Sequence, residues 1–450
     1  MKVLAETSKP YLYSILSAAC MAVAWWYPGS VQAVYLGWLW AITLVIFFTS
    51  KSHLYRAAFI GGALQTFLDF YWIKSTVADF GGFSWLSSSA IFALFIIGSS
   101  LQYVLAVFIF KQLPRWVHSR AIAVAIAWVS AEMLAVRIFP WHSGHTQIAF
   151  TSFAQAAALA GAPFLSFMLV WICDSSLALV DRSRRNALLF LPWVVFTLLL
   201  YYGIKSTHFF DTSEGPTLDV ALVQANISIT EKHNERLVLA NTERYLQLTH
   251  EITTPNTLVV WPEAVIQNFI PAGVGHILND PTLALFEEFE LPLLVGGLTF
   301  ESQSRFFNSA IAIQPNGNVL LPYHKQILMP FGEYTPFGDA LPFLRVIHPI
   351  NDFSAGEEVK VFTYRDLAGK KLARVAPLIC YEDIVPQLSR HSVLKGAQLL
   401  VNITNDAWFG DSMAPYQHHL IAAFRAIENR RFLLRSTNTG LTAIVDPLGR

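Results

Sequence analysis

Hydrophobic and polar positions follow two different patterns along this chain. Up to residue 210, long apolar segments are separated by short polar stretches. The apolar segments lie at 11–27, 34–49, 54–73, 86–110, 121–136, 163–180 and 187–203. Most of them approach the roughly 20 residues that a helix needs to cross a bilayer. We therefore predict a polytopic α-helical membrane domain, with seven helices, over residues 1–210.

After residue 217 the pattern changes to short runs rich in β-branched residues, which alternate with helical patterns. The predicted strands lie at 217–224, 257–261, 292–296, 306–313, 359–364, 373–379, 398–403 and 441–445. The helical patterns lie near 230–252, 278–290, 383–395 and 415–431. This alternation predicts an α/β domain with a covered sheet over residues 217–450. The polar stretch Asp211-Thr-Ser-Glu-Gly-Pro216 is the predicted linker between the domains.

The composition supports a membrane protein. Hydrophobic residues make up 54% of the chain and charged residues only 14%, whereas a typical soluble protein carries about 25% charged residues. The first 210 residues hold 13 of the 31 Lys and Arg residues and 6 of the 31 Asp and Glu residues. Neither part shows the clustered basic face that binding to a phosphate backbone needs, so we do not expect nucleic acid as a partner.

The basic residues between the apolar segments predict the orientation in the membrane. With a cytoplasmic amino terminus, ten lie on the cytoplasmic side and three on the other. The ten are Lys2, Lys9, Lys51, Arg56, Lys111, Arg115, Arg120, Arg182, Arg184 and Arg185, and the three are Lys74, Arg137 and Lys205. Cytoplasmic loops of membrane proteins carry such an excess. Seven crossings then place everything after residue 210 outside the cytoplasmic membrane, which in a bacterium is the periplasm.

The amino terminus permits a second interpretation. Lys2 and Lys9, followed by an apolar stretch that ends in Ser-Ala-Ala-Cys20, resemble a lipoprotein signal peptide. The apolar run continues past Cys20 and further apolar segments follow, which favours a membrane helix. Cys20 and Cys173 both lie in apolar segments, so no disulfide framework is expected.

Ionisable residues inside apolar segments are candidates for function. Asp69, Glu132 and Asp174 lie in or at the ends of such segments, where a charge is costly unless it is paired or faces a polar site. Interfacial placement or pairing with a neighbouring helix is the other interpretation of these three residues. Elsewhere, His418 and His419 lack partners at zinc-ligand spacing, so we expect no metal site there.

One cysteine lies where a nucleophile is expected. Cys380 follows the apolar strand 373–379 and precedes a helix that we predict to begin near Asp383. The amino-terminal N–H groups of a helix favour an anion, so we expect them to lower the pKa of the thiol. Taken alone, a single cysteine at a strand end favours a buried structural thiol, and the motifs around it favour the nucleophile.

Two further residues complete a set for acyl transfer. Glu263 follows the apolar run 258–262 and is placed to accept the thiol proton. Lys325 provides a cation for the oxyanion of a tetrahedral intermediate, and Glu333 is placed to orient it. A base, a cation and a thiol at three strand ends are the groups that covalent acyl transfer requires.

Four segments carry a resemblance to known proteins. They are Trp-Pro-Glu263, His-Lys325 with Pro-Phe-Gly-Glu333-Tyr, Ile-Cys380-Tyr-Glu382, and Asn405-Asp-Ala-Trp-Phe-Gly410. These segments resemble the nitrilase, or carbon-nitrogen hydrolase, superfamily. With the apolar segments in front, nearly the whole chain is similar to the apolipoprotein N-acyltransferase family of the bacterial inner membrane.

The resemblance implies a fold and a set of site residues. The implied fold is an α-β-β-α nitrilase-type domain in the periplasm, behind a multi-pass membrane domain. The implied triad is Glu263 as base, Lys325 as oxyanion stabiliser and Cys380 as nucleophile. Glu333, Tyr381 and Glu382 are implied as supporting residues. The resemblance also implies no cofactor and no metal, and we expect a monomer.

The resemblance also implies an activity. A fatty acyl chain passes from a phospholipid to a thioester on Cys380, and then to the free α-amino group of the amino-terminal diacylglyceryl-cysteine of an apolipoprotein. Two alternatives stay open: a membrane-anchored amidase that uses the same triad on a small amide, and an inactive membrane homologue. An apolar entrance favours acyl transfer and a closed polar pocket favours hydrolysis. Separation of the three triad residues favours the inactive homologue.

The carboxyl end departs from the family pattern. The chain ends at Asp446-Pro-Leu-Gly-Arg450, whereas the family continues with further strand structure and a last membrane helix. We therefore expect the second domain to lack its C-terminal end.

Overall fold

The computed structural model describes residues 2–50, 52–79, 81–180, 187–210, 217–232, 234–335 and 352–450. The chain divides into two compact units. The first contains residues 1–212, 412–428 and 449, and the second contains residues 213–411, 429–448 and 450. The predicted linker at 211–216 lies outside the described residues.

The first unit is helical in its described part. Its helices are α1 (Lys2–Trp26), α2 (Val31–Thr49), α3 (Leu54–Asp69), α4 (Trp72–Asp79), α5 (Trp85–Gln112), α6 (Arg115–His118), α7 (Ala123–Leu134), α8 (Thr151–Ala154), α9 (Ala157–Val180) and α10 (Leu191–Phe209). Among the described residues, four helical stretches are long and apolar enough to cross a membrane: Val31–Thr49, Trp85–Gln112, Ala157–Val180 and Ala187–Phe209.

Each of the seven predicted segments contains a helix, but the helices differ in length. Helix α7 has 12 residues and is about 18 Å long, which is shorter than the ~30 Å hydrocarbon core. Helix α9 is interrupted at Ala160 and Gly161, where Gly161 has a φ of 75°. The number of crossings therefore stays a prediction.

Glu132 is the centre of a buried polar network in the first unit. One carboxylate oxygen accepts hydrogen bonds from the Trp128 indole (2.9 Å) and from the Ser143 amide (2.9 Å) and hydroxyl (2.7 Å). The other oxygen lies 3.0 Å from Nδ1 of His142. These contacts match the pairing interpretation, because they give the carboxylate polar partners within the helical unit.

The described residues of the second unit form two β-sheets. The strands are β1 (Val220–Leu222), β2 (Leu258–Val260), β3 (Ile266–Pro271), β4 (Leu293–Ser302), β5 (Arg305–Ile313), β6 (Tyr323–His324), β7 (Phe362–Arg365), β8 (Lys371–Ile379), β9 (Leu399–Thr404), β10 (Phe432–Thr437) and β11 (Ala443–Val445). The first sheet has the order β1-β2-β4-β5-β6, with β3 also paired to β4. The second has the order β11-β10-β9-β8-β7.

The core of this unit lies between the two sheets. Val260 and Leu294 of the first sheet pack in one cluster with Val375 and Ile403 of the second. Each sheet contains a parallel part, β1-β2-β4 in the first and β8-β9-β10 in the second, next to antiparallel strands. All of these parallel strands except β1 are largely buried, which explains the continuous apolar runs in the sequence.

Helices cover the sheets and complete an α-β-β-α order. Helix α12 (Val238–His250) packs on the first sheet, where Tyr245 lies 5.3 Å from Trp261 between ring centroids. The short helix α11 (Ile229–Lys232) precedes it. Helix α13 (Pro386–Leu394) contacts β8 of the second sheet.

Each predicted strand overlaps an observed strand, but β3, β6 and β10 were not predicted. The helical pattern at 278–290 is wrong, because it forms only the 3₁₀ turns Ile277–Asn279 and Leu283–Phe286. The Asp280 carboxylate accepts hydrogen bonds from the amides of Thr282 and Leu283 there, and such local bonds favour turns over helix.

One helix from the C-terminal half belongs to the first unit. Helix α14 (Ala414–Asn429) contributes residues up to 428 to that unit. The buried Gln417 side chain donates hydrogen bonds to the carbonyls of Trp25 (3.3 Å) and Asp69 (3.2 Å), and accepts one from the Trp72 indole (3.2 Å).

Candidate active site

The three candidate catalytic residues follow the ends of strands. Glu263 lies three residues after β2, Lys325 directly follows β6, and Cys380 directly follows β8. Strands β2 and β6 belong to the first sheet and β8 to the second. The site therefore forms where the ends of the two packed sheets meet.

Lys325 lies between two carboxylates. Its Nζ is 2.8 Å from Oε2 of Glu333 and 3.3 Å from Oε1 of Glu263, and the side chain is 1% exposed. Burial acts to lower the pKa of Lys325, but the charges of Glu333 and Glu263 outweigh it and raise the pKa well above its ordinary value. Lys325 is therefore a permanent cation suited to an oxyanion, and not a base.

Asn308 holds the two carboxylates in place. Its Nδ2 donates hydrogen bonds of 2.8 Å to Oε1 of Glu263 and to Oε1 of Glu333. Its backbone carbonyl accepts a 2.8 Å hydrogen bond from the amide of Lys325. The sequence interpretation missed Asn308, although an amide within the apolar run of β5 is a signal that could have identified it.

Glu263 has a third partner in the second sheet's loops. The backbone amide of Asn405 donates a 3.2 Å hydrogen bond to Oε2 of Glu263. The Asn405 side-chain oxygen in turn accepts a 2.9 Å hydrogen bond from the buried amide of Asn438. Both carboxylate oxygens of Glu263 are thus held, so the carboxylate has one orientation.

The backbone around Glu263 requires a glycine in the neighbouring strand. A Cβ on Gly296 of β4 would lie 2.1 Å from the Pro262 carbonyl oxygen and 2.7 Å from Cα of Glu263. Ala264, directly after the base, has a φ of 48°, in the left-handed region. The turn that carries Glu263 therefore lies directly against β4.

Cys380 occupies a constrained turn. Its φ of 51° is in the left-handed region, which a residue with a side chain adopts only when the surroundings impose it. The Asn402 side chain donates hydrogen bonds to the carbonyls of Leu378 (3.2 Å) and Cys380 (3.1 Å). These bonds tie the turn to strand β9.

Two expectations for Cys380 are wrong. A 3₁₀ turn, Cys380–Ile384, follows the strand, and the helix begins only at Pro386, so this turn separates the thiol from the terminus of that helix. Burial raises the pKa of the Cys380 thiol, the charge of Glu263 raises it further, and the charge of Lys325 lowers it. The resting residue is therefore a thiol, which needs a base when it attacks.

Glu382 connects the turn of Cys380 to the segment after Lys325. Its carboxylate accepts hydrogen bonds from the amides of Gln326 (2.6 Å), Ile327 (3.2 Å) and Ile379 (2.7 Å), and from the Tyr323 hydroxyl (2.8 Å). Burial raises the pKa of Glu382 to about 7, although the backbone hydrogen bonds lower it. This buried acid holds both segments in register.

The remaining predicted residue, Tyr381, is partly exposed in the same turn. Near it, the buried Arg435 lies 3.3 Å from Asp383 and 3.8 Å from Asp406. Among the described residues, no group of three or more His, Cys, Asp or Glu side chains is arranged to hold a metal ion.

Known proteins match both parts of the chain. The family model for the apolipoprotein N-acyltransferase N-terminal domain matches residues 9–174, and that for carbon-nitrogen hydrolase matches residues 219–450. The apolipoprotein N-acyltransferase of Geobacter metallireducens is 31% identical over 466 residues, which cover 98% of this chain and 86% of the relative. The chain belongs to the apolipoprotein N-acyltransferase family.

A second relative agrees with this membership. The apolipoprotein N-acyltransferase of Rickettsia typhi is 28% identical, with 98% of this chain and 87% of the relative covered. A solved amidase from Nesterenkonia sp. is 18% identical, with a TM-score of 0.36, and covers 53% of this chain and 85% of the amidase.

Membership in this family confirms three of the sequence predictions. The chain combines apolar N-terminal helices, which the hydropathy pattern predicted, with a carbon-nitrogen hydrolase domain, which the resemblance of its motifs implied. Its enzyme class is acyltransferase. The four long apolar helices among its described residues fit a membrane protein.

Proposed function

We propose that this acyltransferase moves a fatty acyl chain from a phospholipid to the free α-amino group of the amino-terminal diacylglyceryl-cysteine of apolipoproteins. The observation that carries the proposal is the buried Lys325 ammonium, held 2.8 Å from Glu333 and 3.3 Å from Glu263. The charges of both Lys325 and Glu263 act on the Cys380 thiol. A base, a cation and a thiol are therefore grouped as acyl transfer requires.

In the first half-reaction Cys380 is the nucleophile. Glu263 accepts the thiol proton while sulfur bonds to the ester carbonyl carbon of the phospholipid. Lys325 stabilises the oxyanion that forms. The intermediate then expels the glycerol oxygen, which takes the proton from Glu263, so a lysophospholipid leaves and a thioester remains on Cys380.

In the second half-reaction the acceptor amine attacks the thioester. Glu263 takes a proton from the amine as nitrogen bonds to the carbonyl carbon, and Lys325 again faces the oxyanion. The carbon–sulfur bond breaks, the proton returns to sulfur, and the amide product leaves. Both lipid substrates thus use one site in turn, which is a ping-pong mechanism.

Supporting roles follow from the hydrogen bonds. Glu333 and Asn308 hold Lys325 and Glu263 in position, and Glu382 fixes the turn of Cys380 against the segment after Lys325. We assign Tyr381, at the partly exposed start of this turn, to contact with substrate.

The proposed location is the inner membrane of a bacterium, with several crossings, the hydrolase domain on the periplasmic side, and a monomeric enzyme. The distribution of basic residues supports this orientation. A single cysteine placed at the exposed Asn318, in a chain whose three cysteines are replaced, should react with a membrane-impermeant maleimide in spheroplasts. Labelling only after lysis contradicts the orientation.

The deciding experiment is a transfer assay with phospholipid and a diacylated lipopeptide. We expect product from the full chain and from Cys20→Ala, and none from Cys380→Ala. Without acceptor, intact-mass measurement should show an acyl adduct on Cys380. If Cys380→Ala transfers acyl chains at the normal rate, the mechanism is wrong. If the enzyme releases free fatty acid and no acylated peptide, hydrolysis is its activity instead.

A further inference from the structure

A second lysine lies against the base. Lys232 ends helix α11, and its Nζ donates a 2.9 Å hydrogen bond to the backbone carbonyl of Glu263. The backbone carbonyl of Lys232 accepts a 2.7 Å hydrogen bond from the side chain of Gln267, in strand β3. Both ends of this lysine are therefore joined to the segment that carries the base.

The segment before Lys232 is itself held in place. The Glu231 carboxylate accepts hydrogen bonds from the amide (2.9 Å) and hydroxyl (2.8 Å) of Ser228. The buried side chain of Asn438 donates to the carbonyl of Ile227 (2.7 Å) and accepts from its amide (3.0 Å). Since Asn438 also binds Asn405, one amide fixes the Lys232 segment and a partner of Glu263 together.

Lys232 also interacts with the charges of the site. Burial lowers the pKa of Lys232 to about 8, and the charges of Glu263 and Cys380 act in the opposite direction. A cation whose charge acts on Cys380 favours negative charge on sulfur, which develops whenever the thioester bond breaks.

We propose that Lys232 is a positioning residue for acyl transfer: a second cation that fixes the backbone of Glu263 and stabilises the thiolate of Cys380. This inference rests on the proposed roles of Glu263 and Cys380. The proposal gives the two lysines of the site different roles. Lys325 faces the oxyanion, and Lys232 supports the base and the sulfur.

The test measures the reactivity of Cys380 directly. In the full chain with Cys20 and Cys173 replaced by alanine, the rate of alkylation by iodoacetamide is measured from pH 6 to 10. We expect Lys232→Met to slow alkylation about tenfold at pH 8 and to raise the apparent thiol pKa, because a nearby positive charge is lost. Lys232→Arg should stay within about twofold of the parent, since it keeps the charge.

The matched control is Lys370→Met, which removes an exposed lysine from the turn between β7 and β8 and should change nothing. An unchanged rate and pH profile in Lys232→Met overturns the proposal.

If Lys232→Met does not fold, a second experiment uses Lys232→Arg. It measures the rate of thioester formation on Cys380 in the absence of acceptor, as a function of pH. The parent rate should fall as the pH rises through about 8, where Lys232 loses its proton, whereas the arginine variant should keep its rate to higher pH. Identical profiles overturn the proposal.

Failure of the proposed function is a separate result. Retained transfer in Cys380→Ala removes Cys380 as the nucleophile, whatever the alkylation rates are. If Cys380→Ala loses transfer and Lys232→Met is alkylated at the normal rate, the proposed function stands. Only the proposed role of Lys232 is then rejected.

Discussion

At the scale of single residues, the candidate site is a buried arrangement of one cation and two carboxylates. Lys325 is 1% exposed, and its partners Glu263 and Glu333 are 9% and 12% exposed at their side chains. Buried charges of this kind are tolerated only when each is paired and hydrogen-bonded. Asn308 and the Asn405 amide supply those further hydrogen bonds. The amides are therefore as important to the site's geometry as the charges.

Asn308→Leu should test this arrangement. The substitution removes one donor from each of Glu263 and Glu333, so we expect acyl transfer to fall about 100-fold and the free energy of unfolding to fall by about 2 kcal/mol. Transfer rates and thermal unfolding in detergent measure the two effects. Asn318→Ala, at an exposed turn, is the control. A normal transfer rate in Asn308→Leu would show that the carboxylates do not need this bridge.

Glu382 should make stability depend on pH. Its pKa is raised from 4.5 to about 7 in the folded chain, so the folded state holds its proton more tightly than the unfolded state does. Its contribution is fully present below pH 4.5 and is lost as the pH rises through about 7. Over this window we expect a loss of about 3 kcal/mol relative to Glu382→Gln, whose side chain does not titrate. The unfolding midpoints of both proteins are measured between pH 4 and 8. The midpoint of the parent should fall relative to that of Glu382→Gln as the pH rises from 4.5 through about 7. Parallel curves contradict the assignment.

At the scale of elements, the site depends on turns that follow strands and on close contacts between them. Cys380 itself has a left-handed φ, and so does Ala264, the residue directly after Glu263. These turns keep such conformations because neighbouring strands hold them, through Gly296 on one side and Asn402 on the other. The strands therefore determine where the reactive groups lie.

Gly296→Ala is the test at this scale. The added methyl would lie 2.1 Å from the Pro262 carbonyl oxygen, so the turn that carries Glu263 must move away from β4. We expect transfer to fall about 100-fold, because small misplacements of a catalytic group are costly. Gly273→Ala is the matched control, since no atom lies within 4 Å of its added Cβ. Equal rates in the two variants would show that the turn tolerates displacement.

At the scale of the whole molecule, sequence order and spatial grouping differ. Helix α14 follows the hydrolase strands in the sequence, yet its residues up to 428 group with the N-terminal helices. Within that unit Gln417 satisfies two backbone carbonyls and one indole among apolar helices. A polar side chain in such surroundings is stable only when its hydrogen bonds are made.

Gln417→Leu should destabilise the first unit. Removing the amide leaves the carbonyls of Trp25 and Asp69 without this donor, so we expect the unfolding free energy to fall by about 2 kcal/mol. Thermal unfolding followed by tryptophan fluorescence measures the change. Tyr416→Phe, at the exposed neighbouring position, should leave the midpoint unchanged. A midpoint for Gln417→Leu equal to the parent's contradicts the role given to these bonds.

Local patterns in the sequence were sufficient for the architecture. Membrane helices and buried strands differ in the length and period of their apolar runs, and these are properties of neighbouring residues. Apolar helices followed by an α/β domain were predicted correctly for this reason, and the resemblance of the motifs added that this domain is a carbon-nitrogen hydrolase. The helical pattern at 278–290 failed because Asp280 makes local bonds that an apolar period does not reveal.

By itself, the sequence determined the fold class, the family and the strands that precede Glu263 and Cys380, whereas the strand before Lys325 was not predicted. Only the tertiary structure identified Asn308 and Lys232 as neighbours of the base, and gave Cys380 its left-handed turn and raised pKa. Asn308 and Glu263 are 45 residues apart in the chain, and Asn405 and Glu263 are 142 residues apart. A polar residue looks the same in sequence whether it faces water or a buried carboxylate. Its role is decided when folding brings distant segments together and removes the water between them.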